Sequence, residues 1–279
     1  MYSMNNFLGK LKKYGITEYK YDDLCIKETI GGGGFGEVYR CIVKEEERAC
    51  KRLYFEMDET LNEFLCDLLE ELIYSTNLNN KRFMKVYGVS YDKKTEELYI
   101  IMELLKERDL KKYLENKDLS LKKKLKIFKS LVIAVKDLHK ENYIHADLKP
   151  ENVCYYEDET EEYIKLLDYN MMCRIKETEE LIEGFGSTCG YSSPEQDKEK
   201  LCKKSDVYAL GVIFLELMVN KNIWEGKKEN SKIYRKCVID NLESINNNIE
   251  IYSIIKKCIC KSSKNRFSIE ELLESLRSI

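Results

Sequence analysis

The sequence predicts an α+β chain in two lobes, a small antiparallel β-sheet lobe with one main helix and a larger, mostly α-helical lobe. Three observations carry that reading. Short β-type runs broken by glycines and charged residues dominate up to residue 102. One long helical period interrupts them at 59–78, and after Leu105 helical periods take over. A β-rich front that meets an α-rich back near residue 103 predicts a cleft between lobes, where ligands favour binding. The expected division is an N-terminal extension over 1–24, a sheet lobe over 25–102 and a helical lobe over 103–279, with 25–279 acting as one domain.

The elements follow from local patterns. The extension is polar and mixed, with one short helix expected over 7–14. Two β runs, 25–30 and 37–43, flank a glycine cluster, and β runs joined by glycines predict a hairpin. A third strand is expected around 48–53. In 59–78, Leu61, Phe64, Leu65, Leu68, Leu69, Leu72 and Ile73 recur at three- and four-residue spacing, the mark of an amphipathic helix. Strands near 84–89 and 98–102 complete the sheet. Leu121, Leu125, Phe128, Leu131, Val132, Val135 and Leu138 give a helix over 121–140, and further helices are expected at 205–219, 232–242, 249–260 and 268–278.

Composition narrows the classes of function. With 43% apolar and 35% charged residues, the 279-residue chain can build a core and is not of disordered type. A net charge of -3 gives no basic field for nucleic acid or an anionic membrane. The 11 cysteines are odd in number, include no Cys-x-x-Cys pair, and have only Cys258-x-Cys260 as a close pair, so free thiols in a reducing compartment are expected. The opening residues lack the apolar run of a secretory signal, and no stretch approaches the roughly 20 apolar residues of a membrane helix. A soluble cytoplasmic or nucleocytoplasmic protein is expected.

The run Gly31-Gly32-Gly33-Gly34-Phe35-Gly36-Glu37-Val38 fits G-x-G-x-x-G-x-V. A dinucleotide fingerprint would lead from a strand into a helix, whereas here a strand follows. Glycines in a strand-turn-strand lid let backbone N–H groups approach phosphate oxygens with no Cβ in the way. Fifteen residues past Gly36, Lys51 falls on the third strand, where a fixed cation can neutralise nucleotide phosphates. It needs a carboxylate to hold it extended. The helix over 59–78 offers Glu63, Glu70 and Glu71, and counting back from Phe83 favours Glu71, with Glu70 second.

The segment Ile144-His145-Ala146-Asp147-Leu148-Lys149-Pro150-Glu151-Asn152-Val153 resembles the catalytic loop H-R-D-L-K-P-E-N of eukaryotic-type (Hanks-type) serine/threonine protein kinases, with only the Arg missing. The resemblance runs over residues 25–275 with the main motifs in order. It implies a bilobal kinase fold and transfer of the γ-phosphate of ATP to Ser/Thr hydroxyls of protein substrates. Asp147 would accept or orient the hydroxyl proton, Lys149 would steady the phosphoryl group, and Asn152 would hold Mg²⁺ or, in its place, Mn²⁺. Leu167-Asp168-Tyr169-Asn170 occupies the place of D-F-G, so Asp168 would chelate the metal, while Asn170 stands for a glycine and can tolerate a left-handed turn. Ser187-Thr188-Cys189-Gly190-Tyr191-Ser192-Ser193-Pro194-Glu195 resembles G-T-x-x-Y-x-A-P-E, with Thr188 steadying the catalytic loop and Glu195 pairing with Arg266. Ser205-Asp206-Val207-Tyr208-Ala209-Leu210-Gly211 resembles the helix that anchors the lower lobe. By the same resemblance Ile30, Gly31, Gly33, Gly34, Phe35, Gly36, Val38 and Ala49 would border the nucleotide together with Lys51. Met102 would be the gatekeeper, backbone groups from Glu103 to Leu105 would meet adenine, and Asp109 would meet ribose. His139 and His145 read as structural.

Ala146 stands where many members carry the Arg that docks a phosphorylated activation loop, so activity independent of such phosphorylation is expected, although Thr178, Ser187 and Thr188 are candidate sites. The alternative is a catalytically weak pseudokinase acting as an ATP-binding scaffold, against which stand Lys51, Asp147, Asn152 and Asp168. A small-molecule phosphotransferase is a further alternative, but that class generally lacks the Ser-Pro-Glu segment. A monomer is expected, with control by a regulatory partner, by expression or by the N-terminal extension.

Overall fold

The computed structural model describes residues 4–33, 36–56, 58, 60–105, 109–115, 117–157, 161–175, 182–183, 188–221, 223–224, 227 and 230–279. The chain divides into two compact units, Met1–Lys106 and Glu107–Ile279.

The first unit is built on a six-stranded sheet. Its elements are α1 (Met4–Lys13), β1 (Thr17–Lys20), β2 (Leu24–Gly33), β3 (Gly36–Val43), β4 (Glu46–Leu53), α2 (Leu61–Asn77), β5 (Val86–Asp92) and β6 (Glu97–Met102). In space the strands run β1-β5-β6-β4-β3-β2. Five of them pair antiparallel, as the glycine hairpin and the alternating runs predict. The sixth, β1, was absent from the sequence reading and lies parallel to β5, with Thr17 opposite Gly88 and Lys20 opposite Tyr91. A parallel pair needs a long crossover, here the whole of β2 to α2, so no local turn announces it.

Two apolar clusters fill this unit. Met4, Phe7, Leu8 and Leu11 of α1, Leu65, Leu68, Leu69 and Leu72 of α2, and Val86, Val89, Leu98 and Ile100 of the sheet form the larger one. Cys41, Val43, Cys50, Tyr99 and Ile101 form the other, with Tyr19 and Tyr21 packed on it. The helix expected over 7–14 begins three residues earlier, because Met4 completes its apolar stripe. The strand expected over 84–89 is shifted to Val86–Asp92.

The second unit is mainly helical: α3 (Leu110–Leu114), α4 (Leu121–Lys140), α5 (Lys203–Val219), α6 (Ser231–Glu243), α7 (Ile249–Cys258) and α8 (Ile269–Ser275). Short strand pairs hold its loops. Strand β7 (Tyr143–Ile144) pairs with β10 (Cys173–Arg174), β8 (Val153–Glu157) with β9 (Glu162–Leu166), and β11 (Ile182–Glu183) with β12 (Lys200–Leu201). Helix α4 starts at Ser120, whose side chain accepts from Lys123 N–H, and buries the stripe Ile127, Phe128, Leu131, Val132, Val135 and Leu138. Helix α5 is buried on nearly all sides from Ser205 to Leu215. Phe128 of α4 and Phe214 of α5 stack with centroids 3.9 Å apart. Among the described residues no helix is long and apolar enough to cross a membrane. All eleven cysteines are free thiols.

Candidate active site

In the second unit the loop between β7 and β8 is held from below by one carboxylate. Asp206, 1% exposed on α5, accepts from His145 N–H (2.9 Å, Oδ2) and Ala146 N–H (3.0 Å, Oδ1). The same Oδ2 lies 2.8 Å from His139 Nε2, so that ring nitrogen carries the proton. A buried carboxylate is tolerable only when its lone pairs are used in this way. His145 Nε2 in turn donates to Leu167 O at 3.0 Å. Both histidines are therefore braces of the loop, as expected.

Between these braces the backbone is strained. Ala146 sits at φ 64°, and Asp168 at φ 57°. Non-glycine residues in the left-handed region are costly and cluster at functional sites. The left-handed position expected at Asn170 thus falls two residues earlier, on Asp168. The carbonyl of Ala146 accepts from Gln196 Nε2 at 3.0 Å, while Gln196 Oε1 accepts from Ser193 N–H (2.8 Å) and Ser193 hydroxyl (3.0 Å). Gln196 is buried and carries no assignment from the sequence. Its role escapes sequence reading because a polar residue after Glu195 reads as a solvated turn.

Three side chains converge on Asp147. Oδ2 accepts from Lys149 Nζ at 2.7 Å and from Asn152 Nδ2 at 2.9 Å. Oδ1 accepts from the Thr188 hydroxyl at 2.6 Å, and Thr188 Oγ1 accepts from Lys149 Nζ at 2.8 Å. Asn152 Nδ2 also reaches Asp147 O, at 2.9 Å. The Asp147 and Lys149 side chains are 13% and 21% exposed, so this carboxylate and ammonium face each other in a half-dry setting. Charge-assisted bonds of this kind fix orientation strongly.

Asn152 and Asp168 are brought to one end of the β8–β9 hairpin. Val153 pairs with Leu166, and Leu167 N–H donates to Asn152 O at 3.0 Å. An amide oxygen and a carboxylate are hard donors, which suit a hard divalent cation. Among the described residues no group of three His, Cys, Asp or Glu could hold a metal alone. A cation there would complete its shell with water and phosphate oxygens, the usual manner of Mg²⁺. The residues present therefore fit a nucleotide-bound cation.

The segment after Thr188 is anchored by a buried ion pair. Arg266 Nη1 donates to Glu195 Oε1 at 2.6 Å and Nη2 to Oε2 at 3.1 Å, and the Arg266 side chain is 0% exposed. Its remaining donors reach Lys204 O and Cys260 O. Burial pushes the Glu195 carboxyl up, but the bonds and charge of Arg266 outweigh this and leave it below the ordinary range. Nearby, Tyr191 donates to Glu216 Oε2 at 2.7 Å and accepts from Trp224 Nε1 at 3.1 Å. Burial, with Glu151 adding, pushes the Glu216 carboxyl up to about 7, against the opposing bond from Tyr191. Thr178 and Ser187 lie outside the described residues.

The first unit carries the other expected residues. Gly31 faces Val38 and Gly33 faces Gly36 in the β2–β3 hairpin, whose tip residues Gly34 and Phe35 lie outside the described residues. Gly36 has φ 148°, and a Cβ there would sit 2.0 Å from Arg52 O, so no side chain fits. Ile30 is 45% exposed beside this turn. Lys51 pairs with Val38 across β3 and β4, and Ala49 pairs with Met102 across β4 and β6, both buried. Lys51 and Glu71 are half-buried, the latter on α2 between Leu69 and Leu72. After β6, Glu103 N–H donates to Lys85 O at 2.9 Å, so a ligand contact at Glu103 falls to its carbonyl. Leu105 follows, half-buried. In the second unit Asp109 caps α3 by accepting from Lys112 N–H at 2.9 Å, and its Oδ2 meets Lys112 Nζ at 3.2 Å.

Comparison with known proteins agrees with this geometry. Residues 24–276 match the protein kinase domain family, and the chain belongs to that family. A probable serine/threonine-protein kinase of Dictyostelium discoideum is 29% identical over 226 residues, covering 78% of this chain and 23% of that protein. Serine/threonine-protein kinase PrkC of Bacillus subtilis (strain 168) is 31% identical over 209 residues, covering 72% of this chain and 31% of that protein. Calcium-dependent protein kinase 5 of Plasmodium berghei (strain Anka) is 26% identical over 275 residues, covering 96% of this chain and 46% of that protein. The chain thus spans less than half the length of these relatives.

Proposed function

We propose that this chain is an active serine/threonine protein kinase that transfers the γ-phosphoryl group of ATP to Ser and Thr hydroxyls of protein substrates. The observation that carries the reading is the set of bonds joining Asp147, Lys149, Asn152 and Thr188. In it the carboxylate of Asp147 is aimed by three donors, and its role is to accept or orient the proton of the incoming hydroxyl. Lys149 offsets charge on the group in transit, and Thr188 fixes the separation of Lys149 and Asp147. Asn152 and Asp168 hold a divalent cation, with Mg²⁺ first and Mn²⁺ as a substitute. When bound, that cation neutralises charge on the β- and γ-phosphates.

In the other unit Lys51, held extended by Glu71, meets the α- and β-phosphates, and Gly31, Gly33, Gly34, Phe35 and Gly36 cover them. Ile30, Val38, Ala49 and Met102 enclose the base, which bonds to Glu103 O and the Leu105 backbone, while Asp109 meets the ribose. Residues 25–279 form the catalytic domain, working as a monomer in the cytoplasm or nucleus.

The test is phosphate incorporation into a generic basic protein with Mg·ATP, read by mass spectrometry, with Asp168→Asn as control. Phosphoserine or phosphothreonine from the native chain, missing with the variant, is the expected result. ATP binding without transfer to any protein acceptor would overturn it.

A further inference from the structure

The family match begins at residue 24, yet a helix and a strand lie ahead of it and are built into the first unit. Helix α1 places Met4, Phe7, Leu8 and Leu11 on one face, and all four are buried, Phe7 and Leu11 completely. They belong to the same apolar cluster as Leu65, Leu68, Leu69 and Leu72 of α2. Helix α2 therefore packs on β5 and on α1.

We propose that α1 and β1 are a positioning element for α2, and through it for Glu71, so that residues ahead of the family match set the catalytic rate. The inference rests on the reading of Glu71 given above. Three observations support it. First, α2 lacks a side-chain cap at its start: the Thr60 hydroxyl bonds to Asp58 Oδ1 instead of a helix N–H. Its seat against β5 and α1 is set by the apolar side chains of Leu65, Leu68, Leu69 and Leu72, and apolar packing is not directional, so it allows a helix to roll when part of that packing is lost. Second, α1 is fastened to the sheet. Ile16 N–H donates to Leu11 O at 2.9 Å, and Gly15 turns at φ 72°, leading straight into β1. Third, the sheet is shaped to receive β1. Gly88 has φ 152°, and a Cβ on it would stand 2.0 Å from Thr17 O, so β5 accepts this strand only with glycine there. Glu71 lies between Leu69 and Leu72 on the clamped helix, and a roll that shifts it by about 1 Å is enough to lower turnover about 100-fold.

The test uses the full chain with Phe7→Ala and Phe7→Leu, and Val43→Ala as a smaller cavity placed in the other apolar cluster. Two readouts are taken at a temperature where all variants are folded: kcat and KM for ATP, and hydrogen exchange of residues 61–77. Phe7→Ala is expected to lower kcat about 10- to 100-fold and to speed exchange across α2 about 10-fold. Phe7→Leu should restore most of both, and Val43→Ala should leave both near the native values. Unchanged exchange across α2 in Phe7→Ala overturns the proposal, whatever the activity. So does an equal fall in kcat for Phe7→Ala and Val43→Ala. A native chain that transfers no phosphate sinks the kinase reading instead, and the exchange data still decide whether α1 holds α2.

Discussion

Gln196 makes three hydrogen bonds with one amide, two to Ser193 and one to the carbonyl of Ala146, and so ties the end of the activation segment to a strained point of the catalytic loop. Replacing it by Leu leaves a buried N–H, a hydroxyl and a carbonyl unanswered, at a cost of about 1–3 kcal/mol for each buried group so exposed. Gln196→Leu is expected to lower kcat about 10-fold or more with KM for ATP nearly unchanged, in steady-state phosphotransfer assays. At this scale the sequence was most legible where chemistry and spacing coincide. Asp147, Lys149, Asn152 and Thr188 all stand out in the sequence, and the structure brings the last three within hydrogen-bond reach of Asp147. What could not be read was which residue bears strain. Asn170 looked the natural left-handed residue, but the turn is set by the end of β9 and falls on Asp168.

Helices α5 and α7–α8 meet the activation segment through the Arg266–Glu195 pair, and the energetics of that pair belong to the element scale. Arg266→Met leaves Glu195 buried without its cation, and breaking a buried pair in this way costs about 3–5 kcal/mol. A fall in thermal midpoint is the expected outcome, measured by calorimetry. The two half-buried carboxylates of this region respond oppositely to pH. Glu195 is depressed in the folded chain, so its contribution is present above its unfolded value and is lost as pH falls through the folded one. Glu216 is raised from 4.5 to about 7, so the folded chain holds a proton that the unfolded chain has released. Its contribution is full below 4.5 and lost as pH rises towards about 7. Glu216→Gln should therefore remove a decline in stability across that window, read as thermal midpoint against pH. The helices with a long apolar period, α2 and α4, were visible from sequence to within two residues. Strand β1 was not, because Thr-Glu-Tyr-Lys is short and polar and its partner lies some 70 residues on. Only the folded sheet gives it a place.

For the whole molecule, our proposal that activity does not depend on phosphorylation of the activation loop rests on Ala146, which stands where many kinases carry an Arg, and on the neutral link that Gln196 makes between Ala146 O and Ser193. Phosphatase treatment of the purified protein is expected to leave its rate unchanged. Loss of turnover that a single loop phosphate restores would contradict this. The two-part layout was legible because a switch from period-two to helical patterning is a property of long stretches, robust to local error. The role of residues 4–20 was not, since a single amphipathic turn ahead of a motif does not say what it covers.

Strand β1 also has a colloidal consequence. It occupies the outer edge of β5, a run of Val-Tyr-Gly-Val-Ser-Tyr rich in β-formers and free of proline. A chain begun at residue 24, where the family match starts, would bare that row of N–H and C=O groups, and naked edges recruit other chains. Such a shortened protein should show rising light scatter at concentrations where the full chain stays clear, and a charged residue set into β5 facing solvent should suppress it. The helix and strand ahead of the domain would then serve as its shield against self-association, a duty separate from anything done to a substrate.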